Sequence, residues 1–105
     1  MSVDVDRAIS DAVQAIAEPT RWQIVQLLAR EELCVCHLVD ELGVPQPLVS
    51  HHLKVLREAG LVESERFRYW TYYRLRRTAL AEIGHRVAEL AHDAHADGCR
   101  RRPCC

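Results

Sequence analysis

Two cysteines one residue apart, Cys34 and Cys36 in the run ELCVCH, offer the strongest chemistry in this chain. A thiolate is a soft ligand and prefers soft ions. The plain alternative is a pair of packed structural thiols, because free Cys behaves as a small hydrophobe. Three more cysteines, Cys99, Cys104 and Cys105, stand in the tail GCRRRPCC. They could complete a ligand set from the same or a second subunit, form a site of their own, or be incidental. Arg100, Arg101 and Arg102 would favour the thiolate there and could also add non-specific contacts to a polyanion. Five cysteines in a chain whose start, MSVDVDRA, is acidic and has no apolar h-region point to a reducing, cytoplasmic setting. They suggest thiols kept for metal or redox work. Catalysis finds little support: no His–carboxylate arrangement or phosphate loop is visible, and CVC is not the CxxC of a thioredoxin-like site.

These groups must be positioned by a small single domain. With 105 residues, the chain buries only a modest fraction of its surface, so a dimer would help. The formal charge of -1 hides an asymmetry. Residues 1–45 hold three Arg against eight Asp and Glu, whereas residues 46–77 hold seven Lys and Arg against three Glu. The basic middle is the DNA-facing candidate, since phosphate neutralisation supplies most non-specific affinity. No apolar run approaches the ~18 residues of a membrane span.

Apolar spacing predicts a first helix over Val3–Ala17, broken at Glu18-Pro19-Thr20, and a second ending near Arg30. A third helix is expected from about Cys34 to Leu42, stopped by Gly43, and a fourth from Gln46 to Glu58. Leu61–Ser64 and Tyr69–Leu75 read as two strands with a tip at Glu65–Arg68. A last helix is expected over Thr78–Asp97, closed by Gly98. Residues 1–98 would form the domain and residues 99–105 a Cys/Arg-rich tail. With Cys34 and Cys36 both inside the third helix, their side chains would point about 200° apart. The two sulfurs would meet one ion only if that first turn unwound.

The fourth helix is the candidate reader. Val49, Leu53, Val55 and Leu56 form its inward face, and Gln46, Ser50, His51 and Lys54 line an outward one. Gln and Ser can reach base edges, while Lys54 and Arg57 can reach phosphates. His52 is read either as a DNA contact or as a packed or capping histidine. Arg66, Arg68 and Tyr69 at the hairpin tip fit a backbone or minor-groove contact, with a solvated charged turn as the alternative. On the last helix, Leu80, Ile83, Val87, Leu90 and Ala94 form an apolar stripe, expected to be a dimer seam with the first helix. His85, Glu89, His92 and His95 fall on the opposite face, where a solvated surface or a nickel or zinc contact are the two readings.

The order of elements is mainly α with a β-hairpin wing (α+β), a winged helix-turn-helix. AEPTRWQIVQLL, ELCVC, QPLVSHHLKVLREAGLV and YYRL, in that order, resemble the ArsR/SmtB family of metal-responsive repressors over residues 5–95, and ELCVC resembles its arsenic-responsive branch. The resemblance implies a homodimer on an inverted-repeat operator, released when As(III) or Sb(III) binds Cys34 and Cys36. The family's arsenic pattern has a third cysteine where this chain has Val39. Its last-helix zinc positions fall on Arg77, Ala79, Leu90 and Asp93, so that zinc site is not expected. Wings of the family often carry Gly where Phe67 and Arg68 stand, and Pro45 replaces a usual Ser or Thr cap. The alternatives are a repressor answering cadmium, lead, zinc or nickel, and a thiol protein that buffers metal or senses oxidation.

Overall fold

Apolar spacing in the helices becomes the inner face of the molecule. The structure, a computed structural model, describes residues 3–94 and Arg101. Helix α1 (Val3–Ala17) turns Ala12 and Ala15 inward, and α2 (Pro19–Leu28) turns in Ile24, Val25 and Leu28. Glu18 divides them. Its carboxylate accepts the Arg21 backbone N–H at 2.8 Å, and Pro19 opens α2 without an N–H to leave unsatisfied.

Helix α3 (Val35–Leu42) ends at Gly43, whose φ of 67° lies in the left-handed region that glycine enters at little cost. Helix α4 (Gln46–Glu58) follows at once. Pro45 caps it without a side-chain hydrogen bond, and its carbonyl accepts from Leu48 and Val49 at 3.0 and 3.2 Å. The expected proline-held start is therefore what forms. Leu38 of α3, Val49, Leu53 and Leu56 of α4, Ile24 of α2, and Leu61 and Val62 are almost inaccessible to solvent. Each such side chain stabilises by about 1.5–3 kcal/mol relative to exposure. That shared cluster holds the α3–turn–α4 unit at a fixed angle.

The wing departs from expectation in two ways. First, Leu33 and Cys34 form a short strand, β1, which pairs antiparallel with β3 (Trp70–Leu75), Leu33 opposite Tyr73 and Cys34 opposite Tyr72. The sheet thus has three strands in the order β1-β3-β2. Second, β2 (Val62–Phe67) runs to Phe67, paired with Trp70. The turn is Arg68-Tyr69, and the tip expected at Glu65–Arg68 is mostly strand. Arg74 explains the extension. Its guanidinium donates to Glu63 at 2.9 Å, Glu65 at 2.7 Å and Glu32 at 3.4 Å, which fastens β2 and the approach to β1 onto β3. Arg68 closes the turn with φ 57°, a conformation that costs a residue with a side chain about 1–2 kcal/mol.

Helix α5 (Arg77–Asp93) is shorter than expected, because Ala94 has already left helical backbone with ψ 139°. Its Ile83 is buried, whereas Val87 and Leu90 are 55% and 72% exposed. Arg86 ties α5 to Asp6 of α1 at 2.7 Å. Among the described residues, no helix is long and apolar enough to cross a membrane.

Candidate metal centre and nucleic-acid interface

Cys34 is the last residue of β1 and the N-cap of α3, with extended backbone (φ -93°, ψ 170°). This corrects the expectation that both cysteines lie within a helix. Strand geometry at Cys34 turns its side chain toward the first turn of α3, and the Cys34 and Cys36 sulfurs lie 2.9 Å apart. No unwinding is needed to bring both to one ion.

His37 joins them. Its Nδ1 lies 3.2 Å from the Cys34 sulfur and accepts the Cys34 backbone N–H at 3.2 Å. The three ligand atoms of Cys34, Cys36 and His37 lie within 4.8 Å of one another, the one such group of three found among the described residues. The sequence reading missed His37. The signal was present in the spacing: three residues past an N-cap is where a side chain reaches back to the cap's N–H.

The electrostatics divide the two thiols. Burial pushes the Cys34 thiol up, but hydrogen bonds from the Cys36 thiol and from the His37 and Cys36 backbone outweigh it and hold Cys34 below the ordinary thiol range. The position at the N-terminus of α3 acts the same way. Cys36 is pushed up, first by the hydrogen bond it gives to Cys34, then by partial burial and by the charge on Cys34. Of the two, Cys34 is the more readily ionised and Cys36 the less. Two sulfurs and an imidazole fit a thiophilic or borderline ion. A shallow groove beside His37 is lined by Glu31, Glu32, Asp40 and Glu41, which would draw cations toward it. The tail residues Cys99, Cys104 and Cys105, and His95, lie outside the described residues.

The outward face of α4 forms as a row of exposed side chains. Gln46, Ser50, His51, Lys54 and Arg57 all face solvent, as do Arg66, Arg68 and Tyr69 at the end of the wing. His52 does not join them. It is 7% exposed, and its Nδ1 stands 3.2 Å from Nη1 of Arg21. Arg21 also donates from Nε to the Ala15 carbonyl at 2.6 Å. Burial lowers the His52 pKa against the pull of Glu18, and neutral Nδ1 can then accept from Arg21. The packed reading of His52 is the one the geometry carries, and the expectation that it faces DNA is corrected. On α5, His85 and Glu89 form an exposed pair at 2.8 Å, with no third ligand near them among the described residues.

Residues 18–64, from the Glu18 cap through the first residues of the wing, match the family model described as "Bacterial regulatory protein, arsR family". The chain is 47% identical over 76 residues to the transcriptional repressor SmtB of Mycobacterium tuberculosis, covering 72% of this chain and 56% of that one. It is 48% identical over 63 residues to the arsenic resistance regulator ArsR1 of Pseudomonas putida, covering 59% and 49%. It spans about half the length of these two curated relatives. A crystal structure of a possible transcriptional regulator for arsenical resistance superposes with a TM-score of 0.68 at 34% identity, covering 81% of this chain and 97% of that one. With the helix-turn-helix core, the wing and these likenesses together, the chain belongs to the ArsR family of transcriptional regulators, DNA-binding proteins and not enzymes.

Proposed function

We propose that this protein is a homodimeric repressor that holds an inverted-repeat operator with α4 and the wing, and that releases it when Cys34 and Cys36 capture As(III) or Sb(III). The observation that carries the reading is the position of the thiol pair. Cys34 belongs to a strand paired with β3 of the wing and also starts the helix packed against α4. A change at these sulfurs therefore bears on both DNA-contacting elements at once. A ligand shifts such an equilibrium only through different affinity for the two states. The ligand atoms move as the first turn of α3 and β1 move, which supplies that difference. In the bound state Gln46 and Ser50 would read bases, while His51, Lys54, Arg57, Arg66 and Arg68 would hold the duplex. The partner subunit would cover Val87 and Leu90 of α5 and Val13 of α1, which are exposed in the single chain.

Arsenite favours three thiolates, and the described site supplies two. Cys99, Cys104 or Cys105 is proposed as the third ligand, from the same subunit or its partner. A second reading has its own support. His37 and the acidic groove suit a borderline divalent cation such as cadmium, lead, zinc or nickel, and one relative bears the name SmtB while another is an arsenic regulator.

Fluorescence anisotropy of the reduced protein on its own promoter DNA, titrated separately with arsenite, antimonite, cadmium, zinc and nickel, tests both. Release by arsenite or antimonite at near-stoichiometric dose is expected. Release by the divalent ions alone would move the assignment to the Cys34–Cys36–His37 set, and absence of specific DNA binding would overturn the repressor reading.

A further inference from the structure

The same two sulfurs have a second chemistry open to them. They are free thiols and lie 2.9 Å apart, while a disulfide bond is about 2.04 Å long. Closing the pair requires about 0.9 Å of approach. The extended backbone of Cys34, next to a helical Cys36, already aims the side chains at each other. Cys36 is exposed and Cys34 is buried behind it, so an oxidant in solution meets Cys36 first and finds the resolving sulfur in contact.

We infer that Cys34 and Cys36 form a reversible intramolecular disulfide when the protein meets a hydroperoxide, so that the corner is a thiol-oxidation site as well as a candidate ion site. The step balances with the peroxide as the named oxidant. The Cys36 thiol gives up its proton as its sulfur attacks one peroxide oxygen, the O–O bond breaks, and the departing hydroxide takes up that proton as water. Cys36 is then a sulfenic acid. The Cys34 sulfur attacks the Cys36 sulfur, the S–OH bond breaks, and a second water leaves with the Cys34 proton. Two thiols have lost two electrons and two protons, and one peroxide has become two waters. A thiol restores the pair by exchange.

The consequence is exclusive occupancy. The disulfide uses both sulfurs that would hold an ion, so oxidised protein loses ion capture at this corner, and an ion held there shields the thiols. Because the β1–β3 pairing and the start of α3 both include Cys34, closure also pulls on the joint between wing and helix-turn-helix.

The test uses the full chain with Cys99, Cys104 and Cys105 replaced by Ser, metal-free and without DNA, so that its outcome does not depend on the repressor reading. It is treated with hydrogen peroxide and then digested under non-reducing, alkylating conditions. The expected result is a 2 Da loss in the peptide holding residues 34 and 36, reversed by dithiothreitol, with no intermolecular disulfide. Cys34→Ser should instead retain a sulfenic acid on Cys36 that dimedone traps, at a level several-fold above the parent chain. Stepwise over-oxidation of the parent chain to sulfinic acid without disulfide, disulfides only between chains, or two thiols still alkylated after peroxide would each overturn the inference.

Discussion

Two histidines of the helix-turn-helix, one on α3 and one on α4, end in opposite environments. His52 of α4 is enclosed by Arg21 and Glu18. The Arg21 guanidinium in turn holds the Ala15 carbonyl, so this histidine joins α1, α2 and α4 into one unit. His37 of α3 is exposed, and its neighbours are the two thiols of the candidate ion site. The residue type is the same. Burial among hydrogen-bonding partners makes a lock, whereas exposure beside two sulfurs makes a candidate ligand. His85 is exposed beside a single carboxylate.

Cys34→Ser should leave operator binding intact and abolish ion-driven release, an effect beyond the ~10–100-fold that disturbing an outer-shell partner costs. Anisotropy titration of the variant measures it directly, and a full response would move the sensor to the tail. On the other side, Arg21→Ala should cost about 1–3 kcal/mol of stability, because it leaves the Ala15 carbonyl and His52 Nδ1 without their donor. Urea unfolding should show this while the ion concentration for half-release stays within a factor of two or so of the parent. A change in ion response without a change in stability would reverse the two roles.

His37→Gln sharpens the ligand assignment. If His37 binds the ion, release by cadmium or zinc should need roughly tenfold more metal, with arsenite release nearly unchanged because thiolates carry it. Equal loss for both classes would place His37 in positioning α3 and not in the ligand set.

The smallest effect is in the pH dependence. The His52 pKa is below its ordinary value of 6.5 in the folded state, so the unfolded chain takes up the proton first. Stability is then complete above pH 6.5 and falls as the pH drops through that value toward the folded pKa. Glu18, whose pKa is lowered chiefly by its hydrogen bond from Arg21, remains ionised if the series stops at pH 5.5. Urea midpoints at pH 7.5 and 5.5 should differ less in His52→Gln than in the parent. Equal slopes would mean that His52 titrates alike in both states.

Much of this was open to reading in the residues themselves. The Pro19 and Pro45 starts, the Gly43 stop and the 3.6-residue apolar spacing are local signals. They are enough for five helices, the helix-turn-helix and the exposed row of Gln46, Ser50, His51 and Lys54. Composition marked Cys34 and Cys36 as the chemistry of the chain. The tertiary structure decided what depends on partners distant in sequence. A strand of two residues exists only because Tyr72 and Tyr73 pair with it, and no local pattern of that length carries a period. That pairing makes Cys34 extended, which turns two sulfurs expected on opposite sides of a helix into neighbours and admits His37 beside them. His52 likewise was drawn inward by Arg21, thirty-one residues earlier, a contact that helical periodicity alone does not encode. Local propensity set the elements, and long-range pairing set which side chains could act together.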